Sequence, residues 1–81
     1  MTFDDIIGEI TQIEIIARGV GVDARHALNH KYGRGNWRKL KGVAEVKYPD
    51  RSIWLVEVHW YTAHGIGRRH PKDKRKIRRL K

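Results

Sequence analysis

The clearest pattern in the chain is an alternation of apolar and polar residues over positions 53–61. Large apolar residues fill its even-numbered positions: Trp54, Val56, Val58 and Trp60. This period of two predicts a β-strand whose even positions face a core. The opposite face of the strand carries Glu57, His59 and Tyr61, so a carboxylate, an imidazole and a phenol share one surface.

A second alternating run covers residues 40–48 and ends at a Pro-Asp turn, which predicts a β-hairpin. The register of this hairpin depends on the length of the turn. A two-residue loop would place Glu45 beside the core-facing Trp54, whereas a three-residue loop over 49–51 opposes apolar residues on the core face. The longer loop predicts these pairs: Val46 with Trp54, Ala44 with Val56, Leu40 with Trp60, Val43 with Glu57, Lys41 with His59, and Lys39 with Tyr61.

The N-terminal segment favours an amphipathic helix. Apolar residues recur at helical spacing from Phe3 to Ala17, and Thr2 with Asp5 resembles the capping box that starts a helix. The alternative is a strand in the second half of the segment, because residues 10–16 are rich in β-branched side chains.

A second helix is predicted from Ala24 to Tyr32, with Asp23 as its N-cap and Gly33 as its C-terminal stop. Residues 74–78 can add a third, charged edge strand, and the alternative is a disordered tail or one that becomes helical on binding. The predicted fold class is therefore α+β: one or two N-terminal helices packed on a small antiparallel sheet of about three strands, in a single domain.

Charge is distributed unevenly along the chain. The net charge is +9, yet residues 1–22 carry four acidic residues against Arg18 alone, so the positive charge lies in the remainder. Residues 68–81, a basic C-terminal strand or tail, hold nine Lys or Arg and one acid, Asp73. Such a run attracts polyanions by releasing their counterions. Because the run has few large apolar residues, nucleic acid is favoured over a membrane surface as its partner.

Length and composition exclude several other classes. With 81 residues the chain supports one small domain, and without cysteine it has neither disulfides nor a thiolate metal site. Its apolar runs are far shorter than the roughly 18 to 20 residues of a membrane-spanning helix. His26 and His30 have a spacing that can hold a metal, but no third ligand accompanies them. We therefore expect a soluble cytoplasmic protein that uses no metal and no cofactor.

The polar face of the second hairpin strand has the residue types that metal-independent RNA cleavage requires. Such cleavage needs a base for the 2′-hydroxyl, an acid for the leaving oxygen and cations for the charged transition state. Glu57 or His59 can serve as the base, and His59 or His64 as the acid, with Lys41 and an arginine of the basic run as the cations. The candidate catalytic residues are Glu57, His59, Lys41 and His64. The alternative is a half-exposed sheet face on which Glu and Lys only pair across strands.

Residues 32–41 interleave aromatic rings with cations, as surfaces that bind single-stranded nucleic acid do through stacking and phosphate contact. Trp37 can stack on a base or anchor the core, and the sequence leaves both interpretations open. The candidate nucleic-acid-binding residues are Arg34, Trp37, Arg38, Lys39, Arg68, Arg69, Lys72, Lys74, Arg75 and Lys76.

Two segments carry a resemblance to known proteins: Trp37-Arg38-Lys39-Leu40-Lys41-Gly42 and Glu57-Val58-His59-Trp60-Tyr61-Thr62-Ala63-His64-Gly65-Ile66-Gly67-Arg68. With them, residues 13–78 resemble a family of short bacterial proteins of uncharacterised function, which implies a real domain but no established activity. At the level of architecture, helices followed by an antiparallel sheet in a small basic chain are similar to RelE-like toxins and colicin-type ribonucleases. That analogy supplies no residue-by-residue motif.

Together these features predict a nucleic-acid-binding protein, with RNA favoured, and they extend to a metal-independent ribonuclease. One alternative is a non-enzymatic RNA- or DNA-binding module, in which the same residues hold phosphates and stack on bases. Another is a protein-interaction domain that binds an acidic partner through the basic run.

Overall fold

The computed structural model describes residues 1–81 and is built around one antiparallel sheet. Its four strands are Ile6–Arg18 (β1), Arg38–Lys47 (β2), Ile53–Ala63 (β3) and Gly67–Arg79 (β4). They lie side by side in chain order, so β1 and β4 form the two edges of the sheet. One α-helix, Arg25–Tyr32 (α1), lies in the connection between β1 and β2, and two 3₁₀ turns cover Phe3–Asp5 and Gly19–Gly21.

The N-terminal segment is a strand, so the predicted fold class, with N-terminal helices packed on about three strands, is wrong. The structure has four strands and a single α-helix. The predicted capping box of Thr2 and Asp5 is present, with the Thr2 backbone N–H donating to the Asp5 carboxylate at 2.8 Å, but it begins a single 3₁₀ turn and not a long helix. The β-branched side chains of residues 10–16 favour extended backbone instead. The helices-first order behind the likeness to RelE-like toxins and colicin-type ribonucleases is therefore not present.

The helix-like spacing in this segment has its origin in the irregular pairing of β1. The register between β1 and β2 shifts after Ile7, after Thr11 and after Ile15. Each shift breaks the strict alternation of inward and outward positions. As a result the half-buried residues of β1 fall at intervals of four and seven, which also define one face of a helix. These residues are Ile6, Ile10 and Ala17.

The hairpin of β2 and β3 has the predicted register, and this prediction is confirmed. All six predicted pairs are present in the sheet. The core-facing side chains of β3 pack in one cluster, whereas Glu57, His59 and Tyr61 lie on the opposite face. Within the turn, the Asp50 carboxylate accepts a hydrogen bond from the Ser52 backbone N–H at 2.9 Å, which holds the loop in shape.

The second predicted helix and the C-terminal edge strand both exist, with different bounds. The helix spans Arg25–Tyr32 and is followed by Gly33, whose φ of 104° is readily adopted by glycine. The predicted Asp23 cap is absent, because Ala24 occupies the N-cap position and no side chain hydrogen-bonds there. The basic run forms β4, an edge strand much longer than the predicted 74–78.

Two apolar clusters lie on opposite faces of the sheet. The first consists of buried residues of β2 and β3, with Met1 and Phe3 packed against it: Ala44, Val46, Val56, Val58 and Trp60. The second joins α1 to the end of β3: Val22, Leu28, Trp37 and Ala63. Because Tyr61 packs against this second cluster, α1 lies on the same face as the polar residues of β3. None of the helices has the length and apolar character that crossing a membrane requires.

Candidate nucleic-acid interface

Glu57 and His59 form a hydrogen-bonded pair on the polar face of β3. They are two residues apart on one strand, which places both side chains on the same side, and His59 Nε2 donates to Glu57 Oε2 at 2.9 Å. The side chain of His59 is 14% exposed and that of Glu57 is 28% exposed. The hydrogen bond from His59 lowers the pKa of Glu57, and the nearby charges of His59, Lys41 and Arg75 lower it further. Glu57 is therefore held as a carboxylate.

The cations beside this pair are partly neutralised by carboxylates. Lys41 lies opposite His59 in the sheet, as predicted, but its Nζ is 3.7 Å from Oε2 of Glu14 on β1. On the other side of β3, Nη2 of Arg75 is 3.9 Å from Oε1 of Glu57. This patch is thus a row of alternating charges across all four strands, the pattern expected of a paired sheet face.

The geometry brings together three of the four candidate catalytic residues. Glu57, His59 and Lys41 are neighbours, whereas His64 lies exposed in the turn after β3 and makes no hydrogen bond to them. The other ring nitrogen of His59, Nδ1, is buried and has no hydrogen-bond partner. A general acid or base must reach its substrate and have a suitable pKa. Neither the buried nitrogen nor the low-pKa carboxylate of Glu57 meets both conditions.

A groove of about 660 Å³ lies between α1 and strands β2, β3 and β4. Four lysines from three different elements line it: Lys31 of α1, Lys39 of β2, and Lys72 and Lys74 of β4. No carboxylate lines the groove. Cations gathered in a concave site without acids concentrate positive potential there. The groove therefore has the composition expected of a site that binds anions.

The remaining walls of the groove are aromatic and apolar. His59 and Tyr61 of β3 line it, as do Ala27 and Leu28 of α1. The ammonium group of Lys39 lies 5.9 Å from the centroid of the Tyr61 ring, which marks a face of that ring that the apolar cluster does not cover. The groove thus offers a ring face and aliphatic surface next to its cations.

A β-bulge in β4 ties the helix to the sheet at this groove. His59 pairs with Lys72 and Tyr61 pairs with Arg69, so two residues of β4 oppose the single intervening residue of β3. The extra residue allows His70 to adopt a positive φ of 56°. Its ring Nε2 shares a hydrogen bond of 2.9 Å with the hydroxyl of Tyr32, the last residue of α1. The bulge therefore supports one wall of the groove.

The other candidate nucleic-acid-binding residues are divided between surfaces. Trp37 is 0% exposed and its Nε1–H donates to Oδ1 of Asn29 at 2.9 Å, so it anchors the core and does not stack on bases. Arg34 and Arg38 are exposed near the start of β2. The remaining cations of β4 contact other side chains: Arg68 lies over Phe3, Arg69 over Tyr32, Arg75 beside Glu57, and Lys76 over Tyr48 and Trp54.

Sequence reasoning missed three contributors to the groove. Lys31 and His70 are not among the residues predicted from the sequence, and Tyr61 was assigned only to the polar face of the strand. One signal was available for His70: a proline inside a strand, here Pro71, marks an edge strand or a bulge. The sequence around Lys31 does not indicate that this residue lies near β4, because that proximity depends on how α1 packs on the sheet.

Comparisons with known proteins identify no relative from which a function could be inferred. No protein-family model, curated protein or solved structure matches the chain.

Proposed function

We propose that this protein binds nucleic acid, with RNA as the preferred ligand, and that the groove beside α1 is the principal contact. The observation that carries the proposal is the convergence of four lysines from three elements on a concave site without a carboxylate. Phosphate backbones bind to such sites because each neutralised phosphate releases counterions. Phosphate contacts of this kind supply affinity and position the chain without reading its sequence.

The exposed cations of β4 support the same function at longer range. Arg78 and Arg79 are exposed at the far end of the strand, and the net charge of +9 is concentrated away from the N-terminal segment. A positive field of this kind raises the rate at which a polyanion encounters the protein. The groove then retains the ligand, since its lysines form no salt bridges with carboxylates.

RNA cleavage is the second candidate function, and one observation favours it. His59 lines the groove and is oriented by Glu57, so an imidazole lies next to the site where a phosphate is expected. A fixed imidazole beside a phosphate is a common feature of general acid–base catalysis. The buried Nδ1 and the lowered pKa of Glu57 leave no group free to act as a base, so binding without cleavage is the function that the geometry supports best.

A single gel assay tests both functions. Purified protein is incubated with labelled single-stranded RNA in the presence of a chelator, at low and at moderate salt, with His59→Ala alongside. We expect a salt-sensitive shift and no cleavage in either protein. Cleavage that disappears in His59→Ala would make the protein a ribonuclease. Absence of a shift at low salt would refute RNA binding, and displacement of the RNA by polyglutamate at equal charge would point to an acidic protein partner instead.

A further inference from the structure

The groove has features that phosphate binding alone does not require. A row of surface lysines is sufficient to hold a phosphate backbone, yet here the lysines surround a cavity with an aromatic ring and aliphatic walls. Its volume of about 660 Å³ is within the range of small-ligand sites, roughly 300 to 1,000 Å³. A second chemical group, flat and partly apolar, therefore fits beside the phosphates.

We propose that the groove receives an unpaired nucleobase, which stacks on Tyr61 while the flanking phosphates contact Lys39 and Lys72. The ligand class is thus single-stranded nucleic acid, and this inference rests on the proposed function. Bases in a duplex are paired and stacked on one another, so they reach such a site only at the cost of unpairing. Single strands present their bases without that cost.

The position of Tyr61 supports a stacking role. Its ring packs against the cluster of Val22, Leu28, Trp37 and Ala63, which fixes it as a platform. A rigid aromatic platform is what proteins that bind single strands offer to a base, whatever the base is. The only cation over the Tyr61 ring is the Lys39 ammonium group, which lies 5.9 Å from the ring centroid. Tyr32, by contrast, has Lys31 and Arg69 within 5.4 Å of its ring centroid.

The two proposed phosphate contacts flank this platform. Lys39 is the cross-strand partner of Tyr61 on β2, and Lys72 is the partner of His59 on β4. Since paired residues point to the same face, cations lie on both sides of the polar face of β3. A strand that places its base on Tyr61 can then rest its sugar-phosphate backbone against either neighbour.

The test compares ligands that differ in whether they present unpaired bases. Fluorescence anisotropy measures binding of a short oligouridine, of a chain with the same number of phosphates built from abasic units, and of a duplex of the same length. The variants are Tyr61→Leu, which removes the ring, and Tyr61→Phe, which keeps it. The matched control is Tyr48→Leu, because Tyr48 lies outside the groove.

We expect the parent protein to bind oligouridine about tenfold more tightly than the abasic chain, the effect typical of one stacked base. Tyr61→Leu should abolish this preference, whereas Tyr61→Phe and Tyr48→Leu should retain it. Equal affinity of the parent for both chains would refute the base site and leave phosphate binding intact. Binding to neither chain nor to the duplex would refute the proposed function as well.

Discussion

Removing two groove lysines should change the salt dependence of RNA binding in a way that can be calculated. The variant is the double substitution Lys39→Gln with Lys72→Gln. Both side chains line the groove from opposite sides of β3, and neither ammonium group forms a salt bridge with a carboxylate. Their full charge is therefore available to phosphates in the parent protein and lost in the variant.

The expected magnitude follows from counterion release. Each neutralised phosphate on a single strand contributes about 0.7 to the slope of log K against log salt concentration, so two lysines account for about 1.4. Over a fourfold rise in salt this difference corresponds to about a sevenfold change in affinity. The variant should therefore bind more weakly than the parent at low salt and approach the parent as salt rises.

The assay is an anisotropy titration with single-stranded RNA at several salt concentrations. Its matched control is Lys47→Gln with Arg51→Gln, which removes the same two charges at the other end of the hairpin, outside the groove. If the control reduces the slope as much as the groove variant does, the net charge of the protein governs binding, and the groove has no special role.

Two further predictions concern the stability of the fold and the titration of one tyrosine. Gly42→Ala should lower the free energy of unfolding by about 1 to 3 kcal/mol, because a Cβ there would lie 2.5 Å from Cγ2 of Ile10 and 2.9 Å from the Thr11 carbonyl oxygen. Urea denaturation measures this loss of stability. A loss no larger than that of Gly21→Ala, where the added Cβ is not crowded, would contradict the prediction. Burial and the hydrogen bond to Asp73 raise the pKa of Tyr48 to about 12, so its contribution to stability is complete below pH 10 and is lost as pH rises toward 12. Ultraviolet titration should show a tyrosine that titrates near pH 12 and is absent from Tyr48→Phe, and a curve in this range that Tyr48→Phe leaves unchanged would refute the assignment.

The parts of the fold that were predictable are those with regular local geometry. The hairpin register followed from a single requirement, that Trp54 should not face Glu45, and the structure has that register. The N-terminal strand was not predictable in the same way, because three register shifts give its buried residues the spacing of a helix face. Only the β-branched composition of residues 10–16 favoured a strand.

The candidate site was predictable only where it depends on the pairing of neighbouring strands. Glu57, His59 and Lys41 are neighbours because strand pairing is local and follows from alternation. The groove instead depends on the position of α1, which is set by contacts between residues far apart in the chain, such as Tyr32 with His70. Hydrophobic periodicity contains no information about such contacts, so the site with the clearest anion-binding character was not found from the sequence.

The bulge in β4 makes the exact number of residues in this strand matter as much as their identity. Two residues, His70 and Pro71, oppose Trp60 alone, so Arg69 and Lys72 lie on the same face of the sheet although they are three positions apart. Deleting either His70 or Pro71 would remove the bulge and restore regular alternation, so Lys72 would stay on the groove side, but the Tyr32 hydroxyl would lose the His70 ring that ties α1 to the sheet. We therefore expect a one-residue deletion at this point to weaken the attachment of α1 to the sheet while leaving the basic side chains of β4 on the groove side.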